Sequence, residues 1–534
     1  MNDILVEHHV RRFERMRAER AIFDRDWNDI RDLVRPITLS FNNITGQYTL
    51  IRQDTMYDGT APNALEELAC ALHSYMTSPA ERWFEIQATG LAAEDLSPDE
   101  MEWLEHVSET IYAQFRNPRS NIDAALHEAY LDIGSFGTCA VYQEWDSVVR
   151  GIVFSAEPMA HCYFLENNSG HVDTIYRKKS WTIRQVAQEF GEVLPPKLME
   201  IAKKDWDKYV EVMHCVYPRT DKRVGQTPTS MKYGSMWICL TTQERLYEGG
   251  YEGLPYHVAR WTKLAGECYG RGPARKCLPD IKMLNAMEKT IIKAGQKQVD
   301  PPLLLANEGW FLPIKTAPGS LIFKENEESQ IIPLETKGNL PWGEEKAEQK
   351  RTFIKQCFYS DWIRMEKQNT EMTAYEVQDR RDEKLRLISP ILGRLVTELH
   401  GPLIRRSYEL LNSRGLLEPA PQSLTQRKLT IGYMSPASRA QLGSQAMQIS
   451  RYIQDLIPLA QLNPGIMDAV DFDKVAQVLA TVRGTPRSIM RSPEDLAAKR
   501  EASEQMQMAQ NMAAMAEPAS KAIKNVADAQ GVGA

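Results

Sequence analysis

The chain has 534 residues, 43% of them hydrophobic and 25% charged, which suits two to four folded domains with real cores and excludes a disordered chain. No apolar run reaches the length of a membrane span, and the charged opening residues carry no apolar signal core, so neither a membrane-embedded protein nor export through a cleaved leader is expected. A net charge of −7 argues against a surface that clings to nucleic acid all over; any contact with DNA has to be local or weak.

Residues 1–135 predict helices. The first runs from Ile4 to Leu33 and stops before Pro36. A second covers Ala61 to Met76, closed by Thr77-Ser78-Pro79. Two more are expected over Ser97–Phe115 and Ile122–Ile133, the former opened by a capping box, Ser97 with Glu100 three residues on. From Gly134 to about Lys263 the pattern changes to short β-type runs: CAVYQEW (139–145), IVFSAE (152–157), TIYRKKSW (174–181), YVEVMHCVY (209–217) and SMWICLT (235–241). One helix, Ile183–Phe190, interrupts them. Pro218, Gly225, Gly234 and the pair Gly249-Gly250 read as turns between strands. Gly134-Ser135-Phe136-Gly137 lacks the Gly-x-Ser-x-Gly form of a nucleophile turn and reads as a tight passage from helix into strand.

A glycine-rich elbow, GECYGRGP (266–273), then opens a helix of about 26 residues. Pro273 suits its first position, where a missing N–H costs nothing, and Pro301-Pro302 forbid its continuation. The result is a rod roughly 39 Å long at 1.5 Å per residue. Cys277, Ile281, Leu284, Met287, Ile291 and Ile292 form an apolar arc. Lys282, Lys289, Lys293 and Lys297 line the opposite side, mostly four apart. Such a row is either a solvated face or a surface beside a polyanion or an acidic partner helix. The helix alone leaves both readings open.

A small β-like insert follows over 303–340. A second rod is expected to about Ile363, with Glu344, Glu345 and Glu348 in its first turns, where acids suit the helix dipole. A polar segment from Arg364 to Glu371 leads to a long helical pattern with a capping box at Thr373 and Glu376. Leu385, Ile388, Leu392, Leu395 and Leu399 give that pattern an apolar seam. Pro390 and Pro402 should bend it, at about 3 kcal/mol each in a helix interior. A strand (KLTIGYM) and further helices reach about Arg483, and an Ala-, Gln- and Met-rich stretch closes the sequence.

No recognisable reaction chemistry appears in this order. A phosphate-binding loop and a dinucleotide fingerprint are absent. The eight cysteines include no C-x-x-C pair and read as reduced thiols. There is no H-E-x-x-H, and His161 and His171, set among strands, read as structural. No catalytic residue, cofactor or metal site is expected.

Taken together, the pieces resemble a known family: the portal, or head-to-tail connector, proteins of short-tailed, podovirus-type bacteriophages. The stretches carrying the resemblance are LHSYMTSPAERWF (72–84), GSFGT (134–138), GECYGRGPARKCLPDIKMLN (266–285), KQVDPPLLL (297–305), MTAYEV (372–377) and LGRLVTELHGPLIRR (392–406). Their order, with rod, insert and rod between them, makes the likeness specific. It implies a predominantly helical α+β portal fold with wing, stem, clip and crown, assembled as a ring, usually a dodecamer, at one capsid vertex of the virion. By that likeness 1–135 is the helical part of the wing and 136–265 its β-rich part. The stem is 266–302 and 341–363, with the clip (303–340) between. A channel loop (364–372) is followed by a bent wing helix and return strand (373–434), crown helices (435–492) and a tail (493–534). Arg364, Lys367, Gln368 and Asn369 become candidate channel-loop residues. The lysine row becomes either a set of belts facing DNA or a face pairing with a neighbouring stem.

The implied partners are double-stranded DNA, the terminase motor, the major capsid and scaffold proteins and tail adaptor proteins, with no membrane and with synthesis in the host bacterial cytoplasm. Twelve copies of −7 make −84 per ring, a repulsive field that suits a conduit through which DNA must slide. The alternative is a DNA-packaging enzyme, an ATPase or nuclease, of the same assembly pathway. A capsid scaffold or adaptor acting by helix pairing alone would not need the two β modules.

Overall fold

The structure, a computed structural model, describes residues 4–36, 56–79, 82–89, 96–191, 194–220, 230–304, 332–333, 340–360, 388–425, 429–433 and 447–458, with isolated positions beyond. The chain divides into two compact units, Met1–Thr89 with Leu104–Ala437, and Gly90–Trp103 with Ser438–Ala534. In the second unit the described residues include the opening turn of helix α3 (Pro98–Arg116) and a helical stretch over 447–458. The expected capping box opens α3: the Ser97 N–H donates to Glu100 and the Glu100 N–H donates back to the Ser97 hydroxyl.

The larger unit is organised by helix α1 (Ile4–Leu33). Its buried residues are Val6, His9, Phe13, Met16, Arg20, Phe23, Trp27 and Ile30, alternating three and four apart along the whole helix. That spacing makes one narrow stripe. The stripe's first half lies on a five-stranded antiparallel sheet of order β4-β5-β6-β7-β8, formed by β4 (Cys162–Glu166), β5 (Val172–Thr182), β6 (Tyr209–Pro218), β7 (Tyr233–Cys239) and β8 (Glu244–Tyr251). Met213, Cys215, Met236 and Ile238 face α1; Val210, Val212, Trp237 and Cys239 face away, toward α5 (Ile183–Phe190) and α6 (Pro196–Ala202). Side chains alternate across a strand, and here both faces are covered. That is why β6 and β7 are almost continuously apolar rather than alternating.

Two polar residues interrupt the α1 stripe, and both are satisfied. His9 Nδ1 lies 2.5 Å from the Tyr176 hydroxyl. Arg20, 1% exposed, donates to the carbonyls of Met159, Ala160 and Cys162 and to the Tyr163 hydroxyl. A buried cation without such partners would cost several kcal/mol.

A second sheet has the order β3-β2-β9, from β2 (Thr138–Asp146), β3 (Gly151–Ala156) and β9 (Tyr256–Arg260). Helices α2 (Thr60–Met76) and α4 (Ile122–Phe136) pack together, and α4 also packs on β2 and β3. Strand β1 (Phe84–Ala88) pairs antiparallel with β12 (Leu429–Tyr433), matching Phe84 to Tyr433 across 349 positions. Helix α7 (Pro273–Val299) is followed by the short strands β10 (Leu303–Leu304) and β11 (Ile332–Pro333), which pair, and by α8 (Leu340–Cys357). Among the described residues no helix is long and apolar enough to cross a membrane.

The mixed helix-and-strand class expected from the sequence is the one observed. Several local expectations need correction. Gly234 and Gly249-Gly250 are not turns; they lie inside paired β7 and β8, Gly234 opposite Gly250. The rings of Tyr217 and Tyr247 occupy the space where side chains at Gly234 and Gly249 would project, 2.8 and 2.7 Å from an ideal Cβ. Helix α8 is interrupted after Cys357, where Phe358 turns into the core and Tyr359 adopts a left-handed φ of 60°; the expected end near Ile363 lies outside the described residues. Strands β1, β4, β8 and β9 and helix α6 were not anticipated.

The long helical pattern does not simply kink at Pro402. Residues 388–395 are helical, Val396–His400 form a π-helical turn, and α9 (Gly401–Ser413) follows. The Gly401 N–H donates to Val396, five residues back. Pro402 cannot donate to Glu398 and its ring crowds that carbonyl; the wider π turn removes the crowding.

Candidate functional site

The elbow expected before α7 is held against the end of α4. Gly137 caps α4 with a φ of 79°, a conformation glycine adopts without strain. A Cβ there would lie 2.3 Å from the Gly272 nitrogen and 2.7 Å from the Gly270 oxygen. A Cβ on Gly270 would meet the Gly137 oxygen at 2.1 Å. Two backbones therefore touch where GSFGT meets GRGP, and no side chain fits between them. The Gly270 N–H donates to the Thr138 hydroxyl at 2.8 Å and the Trp261 N–H to the Gly137 carbonyl at 2.9 Å. From α1, Trp27 Nε1 donates to the Phe136 carbonyl while its ring meets Tyr269 edge-on.

Beside the elbow sits Arg260, 1% exposed. Its Nε and one terminal nitrogen donate to the two Glu398 oxygens at 3.1 and 2.8 Å, and its backbone N–H reaches Glu398 at 3.0 Å. The other terminal nitrogen pairs with Glu166, which also holds Lys263 at 2.7 Å. Burial opposes the Arg260 charge, but the Glu398 and Glu166 carboxylates outweigh it and raise its affinity for the proton. Glu398 belongs to the π turn. The proline-bent helix, the end of β4, β9 and the elbow thus converge on one guanidinium. In the same π turn, His400 is fully buried, with Nε2 2.9 Å from the Tyr130 hydroxyl; burial lowers its pKa to about 3.

From this base α7 runs out. Pro273, Ala274, Cys277, Leu278, Ile281 and Leu284 are buried against neighbouring helices, while residues 285–299 are half-buried or exposed. Of the expected apolar arc, Met287 and Ile291 are half-buried and Ile292 is exposed. Pro279, which sequence reasoning passed over, sits inside the helix on its exposed side.

Helix α8 returns antiparallel. Gly343 lies beside Ile291, Lys350 pairs with Asp280 at 2.6 Å, and Arg351 pairs with Glu288 at 2.6 Å and Asp58 at 3.0 Å. Its buried residues, Ala347, Ile354 and Cys357, make a narrow stripe, and Trp342 and Phe353 stay exposed at 59% and 43%.

The structure separates the four lysines. Lys282 pairs with Asp29 of α1. Lys289 lies 5.4 Å over the Tyr57 ring. Lys293 and Lys297 are exposed on the outer half of α7, with no ion pair among the described residues. Within the chain, the α7–α8 ion pairs join cations of α8, Lys350 and Arg351, to acids of α7, Asp280 and Glu288. Glu348 pairs with Arg351 of its own helix and Glu345 accepts from Gln349. Arg364, Lys367, Gln368 and Asn369 lie outside the described residues. His161 is half-buried beside Lys179 and Arg177, and desolvation first, then those charges, lowers its pKa to about 4.

Sequence reasoning missed the Arg260–Glu398 pair because 138 positions separate its members. The available signal was Pro402, which forces an irregular turn at that point. It also missed that the two glycine motifs touch.

Comparison with known proteins gives concordant matches. Residues 7–490 match the family described as bacteriophage head to tail connecting protein. A probable portal protein of Bordetella phage BPP-1 is 28% identical over 529 residues, covering 96% of this chain and 94% of that protein. The portal protein of Salmonella phage epsilon15 is 25% identical over 545 residues, covering 98% and 96%.

Proposed function

Because the chain belongs to the bacteriophage head-to-tail connector, or portal, family, we propose that it works as a ring of identical subunits at one capsid vertex of the virion. Double-stranded DNA enters through the ring during packaging and leaves through it during ejection. The observation that carries this reading is the match over residues 7–490, which spans nearly every described element. The family is one of structural connectors, and the chain's role is to shape a passage rather than to catalyse a reaction. The terminase motor, the major capsid and scaffold proteins and tail adaptor proteins are the partners that such a ring meets.

In this reading α7 and α8 form the stem. Their ion pairs and the Gly343–Ile291 contact hold the two rods side by side, and β10 with β11 ties their distal ends. The elbow and Arg260 fix the base. Lys282 is structural through Asp29. Lys293 and Lys297, repeated around an axis, supply weak positive belts toward the DNA phosphates. Two charges per subunit on flexible side chains favour sliding over gripping. Arg364, Lys367, Gln368 and Asn369 belong to a loop bordering the same passage.

Electron microscopy and native mass measurement of the purified protein test the assembly. A ring with a central hole and a mass near 731 kDa, twelve copies of 60.9 kDa, is expected. A monomer or dimer that hydrolyses ATP overturns it in favour of a packaging enzyme. The double change Lys293→Glu and Lys297→Glu tests the belts. Normal ring yield with a changed salt dependence of DNA packaging supports them, whereas lost rings would place these lysines against a neighbouring subunit.

A further inference from the structure

A group of metal-binding side chains lies on the face where α2 meets α4, apart from the stem and the elbow. Glu66, Cys70 and His73 fall four and then three residues apart on α2, hence on one face of that helix. Asp123 and His127, four apart on α4, stand opposite. A carboxylate oxygen of Glu66, the Cys70 sulfur and a ring nitrogen of His127 all lie within 4.8 Å of one another. His127 Nε2 is 3.3 Å from Glu66 Oε1, and His73 Nε2 is 3.9 Å from Asp123 Oδ1. The two imidazole rings are 6.3 Å apart.

We propose that Glu66, Cys70 and His127 form a binding site for a borderline divalent metal ion, zinc being the natural occupant, with His73 at hand as a fourth ligand. Three arguments carry it. The donors are one sulfur, one nitrogen and one oxygen, a set that suits zinc and its neighbours and not calcium or magnesium, which take oxygen. Tetrahedral zinc holds its donor atoms roughly 3.5 Å apart, so the present spread closes by about an ångström. Rotation of the Glu66 and His127 side chains, both reached by solvent, supplies that movement. Finally, the ligands sit on two helices already packed together, so little backbone ordering is needed.

On binding, the Cys70 thiol releases its proton to water and the sulfur bonds to the metal, with no change of oxidation state. A metal here would clamp α2 to α4, whose far end carries the elbow. The site stands independently of the portal reading.

Cobalt(II) titration of the full-length, reduced, chelator-treated protein tests it. The expected result is a thiolate-to-cobalt charge-transfer band that saturates at one ion per chain, shows tetrahedral visible absorption and disappears on adding zinc. Zinc should raise the melting temperature of the parent protein. Cys70→Ser should abolish the charge-transfer band, and His127→Gln should weaken binding at least about tenfold. Both side chains are solvent-accessible, so each variant should melt like the parent without metal, which separates lost binding from lost folding. Absence of the band, its persistence in Cys70→Ser, or an octahedral spectrum insensitive to His127→Gln overturns the proposal.

Discussion

The two halves of α7 obey different rules. From Pro273 to Leu284 the helix is rooted: its apolar residues are buried, and its entry depends on two backbones in contact at Gly137, Gly270 and Gly272. From Asn285 to Val299 it is a rod with exposed lysines, and a Cβ added at Gly295 would meet nothing within 4 Å. The first half is specified by backbone packed against backbone, whereas the second meets α8 only along one side, at Glu288 and Ile291, and leaves Gly295 open. A substitution of the same chemical kind should therefore have opposite effects in the two places.

The largest effect is expected at the root. Gly137→Ala places a Cβ among backbone atoms at a left-handed position, and neither backbone can retreat without losing the contact. A loss of more than about 3 kcal/mol is expected, seen as a collapse of soluble yield or of the denaturant midpoint. A stable Gly137→Ala protein would show that the elbow is not tightly specified.

Next comes Glu398→Gln, which leaves the buried Arg260 with half of its charge partners. Breaking a buried pair in this way costs about 3 kcal/mol, measurable by chemical denaturation. The reverse result, a neutral change, would mean that Glu166 alone suffices.

A smaller effect follows from pH. The His400 pKa is about 3 in the folded protein against an ordinary 6.5, so below pH 6.5 the unfolded chain binds the proton that the folded one refuses. Stability from this group is complete above pH 6.5 and is lost as pH falls toward 3, by roughly 2 kcal/mol at pH 5. His400→Gln should flatten that part of the profile. An unchanged slope between pH 7 and pH 5 would assign the acid sensitivity elsewhere.

The smallest effect belongs to the outer half. Gly295→Ala should stabilise by about 0.5–1 kcal/mol, because it removes unfolded-chain freedom without a clash. A destabilised Gly295→Ala would reveal a close neighbour on that face and erase the contrast between root and rod.

How far the residues themselves foretell this structure depends on the range of the interaction. The capping box at Ser97 and Glu100, Pro273 at the start of α7 and the helix Ile183–Phe190 were legible because each rests on contacts within a few positions. The strands of β6 and β7 were legible from apolar content, but not the fact that both faces are covered. Strand β1 was invisible: five residues whose partners lie 341 to 349 positions on show no local reason to be extended. The glycines at 234 and 249 were misread for a related cause. Tyrosine rings from an adjacent strand and from the same strand, not turns, occupy the space they leave.

Sequence alone determined where the rods begin, that the chain must bend near Pro402, and that the order of motifs is that of a phage connector, since these depend on local steric rules and on linear order. Only the tertiary structure decided which lysines are engaged, that Arg260 gathers four elements, and that His127 stands beside Glu66 and Cys70. Those outcomes depend on backbones meeting across tens to hundreds of residues. At such contacts hard-sphere exclusion and the cost of burying charge act on pairs that no local pattern brings together.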